Sequence, residues 1–230
     1  MIVCAALLGA LVWVSGCSSE HSSTCFGTSG EGALRDAWKL PRRGSNFRAY
    51  SAVGWLLGRT FVHSSVHAVV LEAYERLATS QPGVTFIYGE TGLQRGGRFR
   101  PHRSHQNGLS VDFMVPVRDS AGQRRELPTS ISDKFGYDLE FDDAGKLGDL
   151  QIDFELIARH LAELQRSASS QRVQIARVIF DPKLSERLKT TKAWPQISAL
   201  PFMLKPAWIR HDEHYHVDFQ VRCHPLSWLE

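Results

Sequence analysis

Ten histidines occur in this 230-residue sequence, and five of them fall in two short windows. His102 and His105 form the first window, and His211, His214 and His216 form the second. Imidazole is the commonest side-chain ligand of protein-bound metals. A catalytic zinc ion uses three protein ligands and leaves one position open to water. The two windows therefore indicate a metal-dependent hydrolase.

Residues 214–221 alternate between polar and apolar side chains, which predicts a β-strand. Alternate residues of a strand share a face, so His214, His216 and Asp218 lie together on the polar face. One histidine of this pair can bind a metal while the other stands beside the reacting water. Two surface histidines on an edge strand are the alternative.

A second alternating stretch, residues 109–117, predicts another strand, with Asp112 on its polar face. His105 precedes Asp112 in the spacing H-x6-D, separated from the strand by the turn residues Asn107 and Gly108. If the two strands are neighbours, Asp112 and His216 come within reach of each other. The alternative role for Asp112 is a capping or ion-pairing carboxylate.

Three stretches carry a family resemblance: residues 96–99 (Gly-Gly-Arg-Phe), residues 104–112 (SHQNGLSVD) and the pattern H-x-x-H-x-H-V at residues 211–217. Together they resemble the penicillin-insensitive murein endopeptidases. That family belongs with the lysostaphin-type peptidases, the D-Ala-D-Ala carboxypeptidases and the hedgehog domain. The resemblance runs from about residue 25 to residue 225.

The resemblance implies a zinc-dependent murein endopeptidase that hydrolyses peptide cross-links of peptidoglycan. By matching position, His105, Asp112 and His216 would bind one zinc ion per chain. His214 would be the general base and acid, and His211 would support or orient it. Peptidoglycan is the implied partner.

The sequence contains only some of the residues that a second metal site would need. In the family, a histidine at the position of His102 can bind a metal with an Asp and a His from a later segment. Asp143 is the candidate for that Asp, whereas Leu147 stands where the His is expected. One zinc ion is therefore the expectation.

Among the four arginines of residues 94–103, Arg98 lies in the family-like Gly-Gly-Arg-Phe and is predicted to bind substrate carboxylates.

Other hydrolase classes lack their motifs. Neither H-E-x-x-H nor G-x-S-x-G occurs, which excludes the helical zincin arrangement and weakens a serine hydrolase. A cysteine hydrolase based on Cys25 or Cys223 is a poor alternative, because both lie at the ends of the domain. Two alternatives stay open: a zinc D,D- or L,D-carboxypeptidase that trims stem peptides, and a non-catalytic, metal-containing lipoprotein that binds the cell wall.

Helices and strands are mixed without a regular βαβ order, which predicts an α+β fold. We expect a single domain, a mainly antiparallel sheet with flanking helices, as in the hedgehog and DD-peptidase group. Helices are predicted over 66–77, 151–166 and 183–190, and strands over 84–88, 109–117, 174–180 and 214–221. A polar excursion with a hairpin is expected over 118–148.

The first 16 residues are uncharged and mainly apolar, which is typical of a signal peptide. Val-Ser-Gly-Cys at residues 14–17 resembles a bacterial lipobox, so Cys17 would be lipid-modified and would anchor the protein to the outer membrane from the periplasm. An ordinary secretory signal and a soluble periplasmic protein are the alternative. Residues 17–32 then read as a flexible tether, and 33–230 as the peptidase domain. Cys25 and Cys223 could form a disulfide in an oxidising periplasm.

Composition excludes several classes of protein. Hydrophobic residues make up 43% and charged residues 22%, which is enough for a core and unlike a disordered chain. The net charge of +3 is too small for a dedicated nucleic-acid binder. No apolar run of about 18 residues occurs beyond the N-terminus, so a polytopic membrane protein is excluded. The sequence does not indicate an oligomeric state.

Overall fold

A computed structural model describes residues 21–229. The predicted signal peptide and Cys17 lie outside the described residues. The strands are β1 (Thr24–Gly27), β2 (Gly32–Arg35), β3 (Trp38–Lys39), β4 (Phe47–Ala49), β5 (Phe61–Val62), β6 (Phe86–Tyr88), β7 (Ser110–Met114), β8 (Val117–Arg118), β9 (Arg124–Arg125), β10 (Lys146–Leu147), β11 (Leu150–Ile152), β12 (Gln174–Ile179) and β13 (His214–Gln220). The α-helices are α1 (Ala52–Leu56), α2 (Ser64–Ser80), α3 (Phe154–Ser170), α4 (Pro182–Leu188) and α5 (Trp194–Ile197).

A five-stranded sheet in the order β12-β13-β7-β6-β4 forms the centre of the fold. Its pairs are antiparallel except the parallel pair β4-β6. A smaller four-stranded sheet, in the order β10-β11-β8-β9, is built from the segment between β7 and α3. Together with two short antiparallel pairs, β1-β2 and β3-β5, this confirms the α+β class with mainly antiparallel strands.

The two long helices form because their apolar residues recur at helical spacing. Val66, Val69, Val70, Ala73, Tyr74 and Leu77 are all buried on α2. Helix α3 begins after Asp153, whose side chain accepts a hydrogen bond from the backbone N–H of Leu156. These helices pack against each other, and aromatic contacts join them to the central sheet. The ring of Tyr74 lies 5.9 Å from that of Phe86 on β6.

Strand β13 lies between β12 and β7, so both of its edges are hydrogen-bonded within the sheet. Its register with β7 pairs Tyr215 with Phe113 and His216 with Asp112. Tyr215 and Phe113 stack in the core, 5.6 Å between ring centroids. Because side chains alternate along each strand, the next pair, His216 and Asp112, emerges on the opposite face. The sequence expectation that these two strands are neighbours is confirmed.

A disulfide joins Cys25 on β1 to Cys223 just after β13, with 4.8 Å between the Cα atoms. It ties the N-terminal hairpin to the end of the central sheet. The expectation of a flexible tether extending to residue 32 is therefore wrong for its second half. Strand β1 pairs with β2, and Cys25 and Phe26 are buried, so the chain is already folded at residue 24.

Within residues 21–229, none of the helices has both the length and the apolar character that a membrane crossing requires.

Candidate metal centre and active site

The candidate site lies where β7 and β13 run side by side. His216 Nδ1 is 2.9 Å from Asp112 Oδ1, and both side chains are buried. His216 Nε2 faces Asp218 Oδ1 at 2.8 Å. Because a carboxylate can only accept, the Nε2–H of a neutral His216 donates to Asp218. The Nδ1 atom then points at a carboxylate oxygen, so either a proton or a metal ion must lie between these two atoms.

His105 approaches the same carboxylate from a loop. Its Nδ1–H donates to the backbone carbonyl of Thr91 at 3.1 Å, which leaves the Nε2 lone pair free. Nε2 lies 3.3 Å from Asp112 Oδ1 and is buried without a hydrogen-bond partner among the described residues. The backbone of His105 has a φ of +68°, which an L-residue seldom adopts. This strained conformation turns the ring back over the sheet.

Two imidazole nitrogens therefore converge on one carboxylate oxygen, and each can present a lone pair there when its ring is neutral. A neutral His–His–Asp set fits a zinc ion, for which imidazole and carboxylate oxygen are ordinary ligands. Burial lowers the pKa of His105, so its ring is neutral and able to bind a metal. Burial also opposes protonation of His216, but the carboxylates of Asp218 and Asp112 outweigh it and raise its pKa to about 10. Both carboxylates thus favour a positive charge at this point.

Asp218 is itself held in place by two further groups. Ser110 Oγ donates to its Oδ1 at 2.6 Å, and Arg177 Nε donates to its Oδ2 at 2.8 Å. A carboxylate that accepts from the distal nitrogen of a ligand histidine fixes its tautomer and orientation. Asp218 plays that part for His216.

His214 stands beside the cluster on the same strand. Its Nδ1 lies 2.8 Å from Glu213 Oε1, and its Nε2 is buried, has no hydrogen-bond partner among the described residues and lies 3.8 Å from Asp112 Oδ2. Burial lowers the pKa of His214 to about 4 and raises the pKa of Glu213 to about 8. The two groups are in direct contact, so a proton can pass between them. Glu213 was not singled out in the sequence, although it directly precedes His214.

His211 completes the histidine group. Its ring centroid is 4.6 Å from that of His214, and its Nδ1–H donates to the carbonyl of Ile209 at 2.7 Å. Burial, followed by the charge of a protonated His214, lowers the pKa of His211 to about 3. A neutral His211 beside the base is compatible with the supporting role that the resemblance implies.

His102 is placed differently from expectation. Its Nε2 lies 2.6 Å from Glu90 Oε2, and its Nδ1 lies 4.0 Å from Asp112 Oδ2. His102, His105 and Asp112 each offer one ligand atom, and these three atoms lie within 4.8 Å of one another. His102 therefore borders the metal centre. Asp143 does not join it.

A second metal site formed by His102 and Asp143 is not supported by the structure. Asp143 is exposed, forms an ion pair with Lys183 at 2.6 Å and does not line the cavity that His102 lines. The carboxylate next to His102 is Glu90 instead. Glu90 also binds Arg59 and accepts from the hydroxyl of Tyr50, so its charge is already compensated.

Tyr137 is a site residue that the sequence did not reveal. It comes from the 3-10 turn region of the excursion after β7, and its ring lies 5.0 Å from that of His214. Its hydroxyl donates to Asp112 Oδ2 at 3.0 Å and accepts from the backbone N–H of Glu90 at 2.8 Å. Tyr137 thus leaves Asp112 Oδ1 free to face the two ligand histidines.

The Gly-Gly-Arg-Phe stretch contributes its phenylalanine rather than its arginine. Phe99 is buried, and its ring lies 5.4 Å from His102 and 5.6 Å from His105. Arg98 is exposed and does not line the cavity above the histidines. Arg103 lines it instead. The structure therefore does not bring Arg98 to the position of a substrate-binding residue.

A cavity of about 900 Å³ opens above the cluster. Its floor contains His214, His216 and Glu213, and its walls come from residues 101–104, 134–140 and 203–211. The accessible volume is of the size that binds a small ligand or a peptide segment.

A buried His–Asp–His cluster beside an additional histidine, at the floor of an open cavity, is the arrangement that a single-metal hydrolase requires. Residues 25–226 match the family described as penicillin-insensitive murein endopeptidase. The chain belongs to this family, which confirms the resemblance noted in the sequence and defines it as a peptidase. A comparison with curated proteins finds no match.

Proposed function

We propose that this protein is a zinc-dependent murein endopeptidase that hydrolyses peptide cross-links of peptidoglycan. The observation that carries the proposal is the convergence of His105 Nε2 and His216 Nδ1 on Asp112 Oδ1, at 3.3 and 2.9 Å. These three atoms would hold one zinc ion per chain. Membership in the murein endopeptidase family supports the substrate class.

When bound, zinc polarises a carbonyl oxygen and lowers the pKa of a water molecule to about 7. The remaining chemistry falls to residues of the chain. His214 lines the cavity, and its Nε2 has no hydrogen-bond partner among the described residues, so it is free to accept a proton from the attacking water and pass it to the leaving amine.

Glu213 assists this proton transfer at a buried site by exchanging a proton with His214. When His214 Nε2 takes up a proton, the proton on Nδ1 can pass to Glu213 Oε1, 2.8 Å away. Glu213 can take this proton only in its ionised form, and because burial raises its pKa to about 8, that carboxylate is an unusually strong base. The charge of the pair then changes from −1 to zero, which avoids the cost of an isolated buried imidazolium. Tyr137 and Asp218 hold Asp112 and His216 in position through their hydrogen bonds.

We also propose that the protein works in the periplasm, anchored to the outer membrane through a lipid on Cys17. A peptidoglycan substrate and the disulfide between Cys25 and Cys223 support a periplasmic location. Cys17→Ser should release the protein into the soluble periplasmic fraction. Persistent membrane association of that variant would contradict the lipid anchor.

Defined muropeptides test the activity. The purified protein, analysed for metal content, is incubated with cross-linked muropeptide dimers and with uncross-linked stem peptides, and the products are identified by mass. We expect about one zinc ion per chain, monomers released from dimers, loss of cleavage with a chelator and recovery with added zinc. Cleavage that resists chelation would contradict the metal requirement. Trimming of stem ends without cleavage of dimers would instead establish the carboxypeptidase alternative.

A further inference from the structure

The cavity contains three cationic side chains, and two of them are already paired. Lys134 Nζ lies 2.7 Å from Asp138 Oδ1, and Arg177 is bound to Asp218. Arg103 is exposed on the cavity wall and, within residues 21–229, forms no ion pair with an acidic side chain. Its charge is therefore available to a ligand.

The partner that the structure gives Arg103 is an aromatic ring. The guanidinium carbon lies 4.8 Å from the ring centroid of Trp208, which also lines the cavity. Trp208 is 53% exposed, an unusual exposure for so large an apolar side chain. A guanidinium stacked on an indole keeps its planar fork of donors free at the edge.

The position of this pair relates it to the proposed chemistry. Arg103 lies two residues before His105, and Trp208 lies three residues before His211, so each is covalently close to one histidine window. His102, His211 and His214 line the same cavity. A substrate bound in this cavity can therefore contact both the proton-transfer histidines and the Arg103–Trp208 pair.

We propose that Arg103 and Trp208 form a subsite that binds a free carboxylate of the peptide substrate. This inference rests on the proposed function, because stem peptides of peptidoglycan carry free carboxylates. The guanidinium fork matches a carboxylate in bidentate geometry, and the indole face covers the apolar part of the adjoining residue. The subsite selects acidic stem peptides over amidated ones.

Two cross-linked muropeptides test this selection, identical except that one carries a free carboxylate beside the scissile bond and the other the amide. We expect the wild-type protein to cleave the acid with a kcat/KM about tenfold higher, and Arg103→Ala to abolish this preference, mainly through KM. Trp208→Ala should raise KM for both substrates. Arg98→Ala, on the same loop but outside the cavity lining, is the matched control and should keep the preference. An unchanged acid-to-amide ratio in Arg103→Ala would overturn the proposal.

A binding measurement separates this inference from the proposed function. The affinities of the two muropeptides are measured by calorimetry for His214→Ala and for His214→Ala combined with Arg103→Ala. If the wild-type protein cleaves neither muropeptide but the acid binds more tightly in an Arg103-dependent way, the subsite stands and the peptidase proposal fails. If cleavage occurs and binding shows no dependence on Arg103, the subsite fails and the peptidase proposal stands.

Discussion

His216 and Asp112 lie directly opposite each other on β13 and β7, and their side chains meet at 2.9 Å. The preceding residue of β13, Tyr215, faces Phe113 in the same register and packs in the core. One register therefore fixes both the core and the candidate metal centre. A slip of one residue would exchange the two faces, so burial of the aromatic pair stabilises the geometry of the site.

The two histidines of β13 should respond differently to substitution. His216→Ala removes a proposed ligand, so both bound zinc and turnover should be lost. His214→Ala removes only the proposed base, so zinc should remain at about one per chain while kcat falls by about 100-fold or more. Metal analysis after dialysis, together with muropeptide cleavage, measures both properties.

A matched control for these variants is His224→Ala, since His224 is exposed and stacks on Trp228 away from the cavity. It should keep both metal and activity. Normal turnover of His214→Ala would refute its assignment as the base. Loss of zinc from His214→Ala, with the fold intact by circular dichroism, would move His214 from proton transfer into the ligand set.

Asp218 should influence zinc affinity without contacting the ion. Asp218→Asn weakens the acceptor for His216 Nε2–H and removes the charge that Arg177 balances, so zinc affinity should fall by about 10- to 100-fold. Competition with a chromogenic chelator measures this affinity without any need for activity. Glu126→Gln, at an exposed acid that pairs with Arg48, is the control and should bind zinc like the wild type. Equal affinities in the two variants would show that Asp218 serves only the fold.

Glu213 should affect turnover rather than metal or substrate binding. Glu213→Gln cannot hold a proton, and we expect kcat to fall by about tenfold or more while KM and zinc content remain near the wild-type values. Steady-state kinetics with a cross-linked muropeptide separate kcat from KM. A parallel loss of zinc would mean that the substitution disturbs β13 as a whole, and an unchanged kcat would remove Glu213 from the proton-transfer pair.

The strands that carry the site were predictable because their alternation is strong. Asp112 and His216 each lie between two apolar residues that must be buried, and His214 directly precedes the buried Tyr215, so their own faces follow from the period of two. The sequence could not show that β7 and β13 pair with each other, because about 100 residues separate the two strands. Their pairing was therefore an assumption of the sequence analysis. The relatedness of the sequence to a known family supplied the roles of the histidines.

The residues that sequence reasoning missed reach the site through irregular segments. Tyr137 and Glu90 meet at Asp112 although they are 47 residues apart, and neither lies in a pattern whose period points to the cavity. The choice among the arginines of residues 94–103 failed for the same reason. The path of a loop is determined by its packing, here by burial of Phe99, and not by a local repeat.

His160 provides a prediction about stability that is independent of the metal. It lies on α3, and its ring is buried among Phe86, Phe113 and Tyr74, with its Nδ1 hydrogen-bonded to the hydroxyl of Tyr215 at 2.6 Å. Burial lowers the pKa of His160 from 6.5 to about 3. The unfolded chain therefore binds a proton at this residue more readily than the folded protein does.

This difference sets the sign of the pH dependence. Above pH 6.5 the residue is neutral in both states and has no effect, whereas between pH 6.5 and about 3 only the unfolded state is protonated. Over that window His160 should lower the free energy of unfolding by about 1.4 kcal/mol for each unit of falling pH. Denaturant unfolding of the wild type and of His160→Phe at several pH values between 6.5 and 4 measures the slope. The variant should show the shallower slope, whatever its stability at pH 7. Parallel slopes for the wild type and His160→Phe would show that acid sensitivity arises elsewhere in the protein.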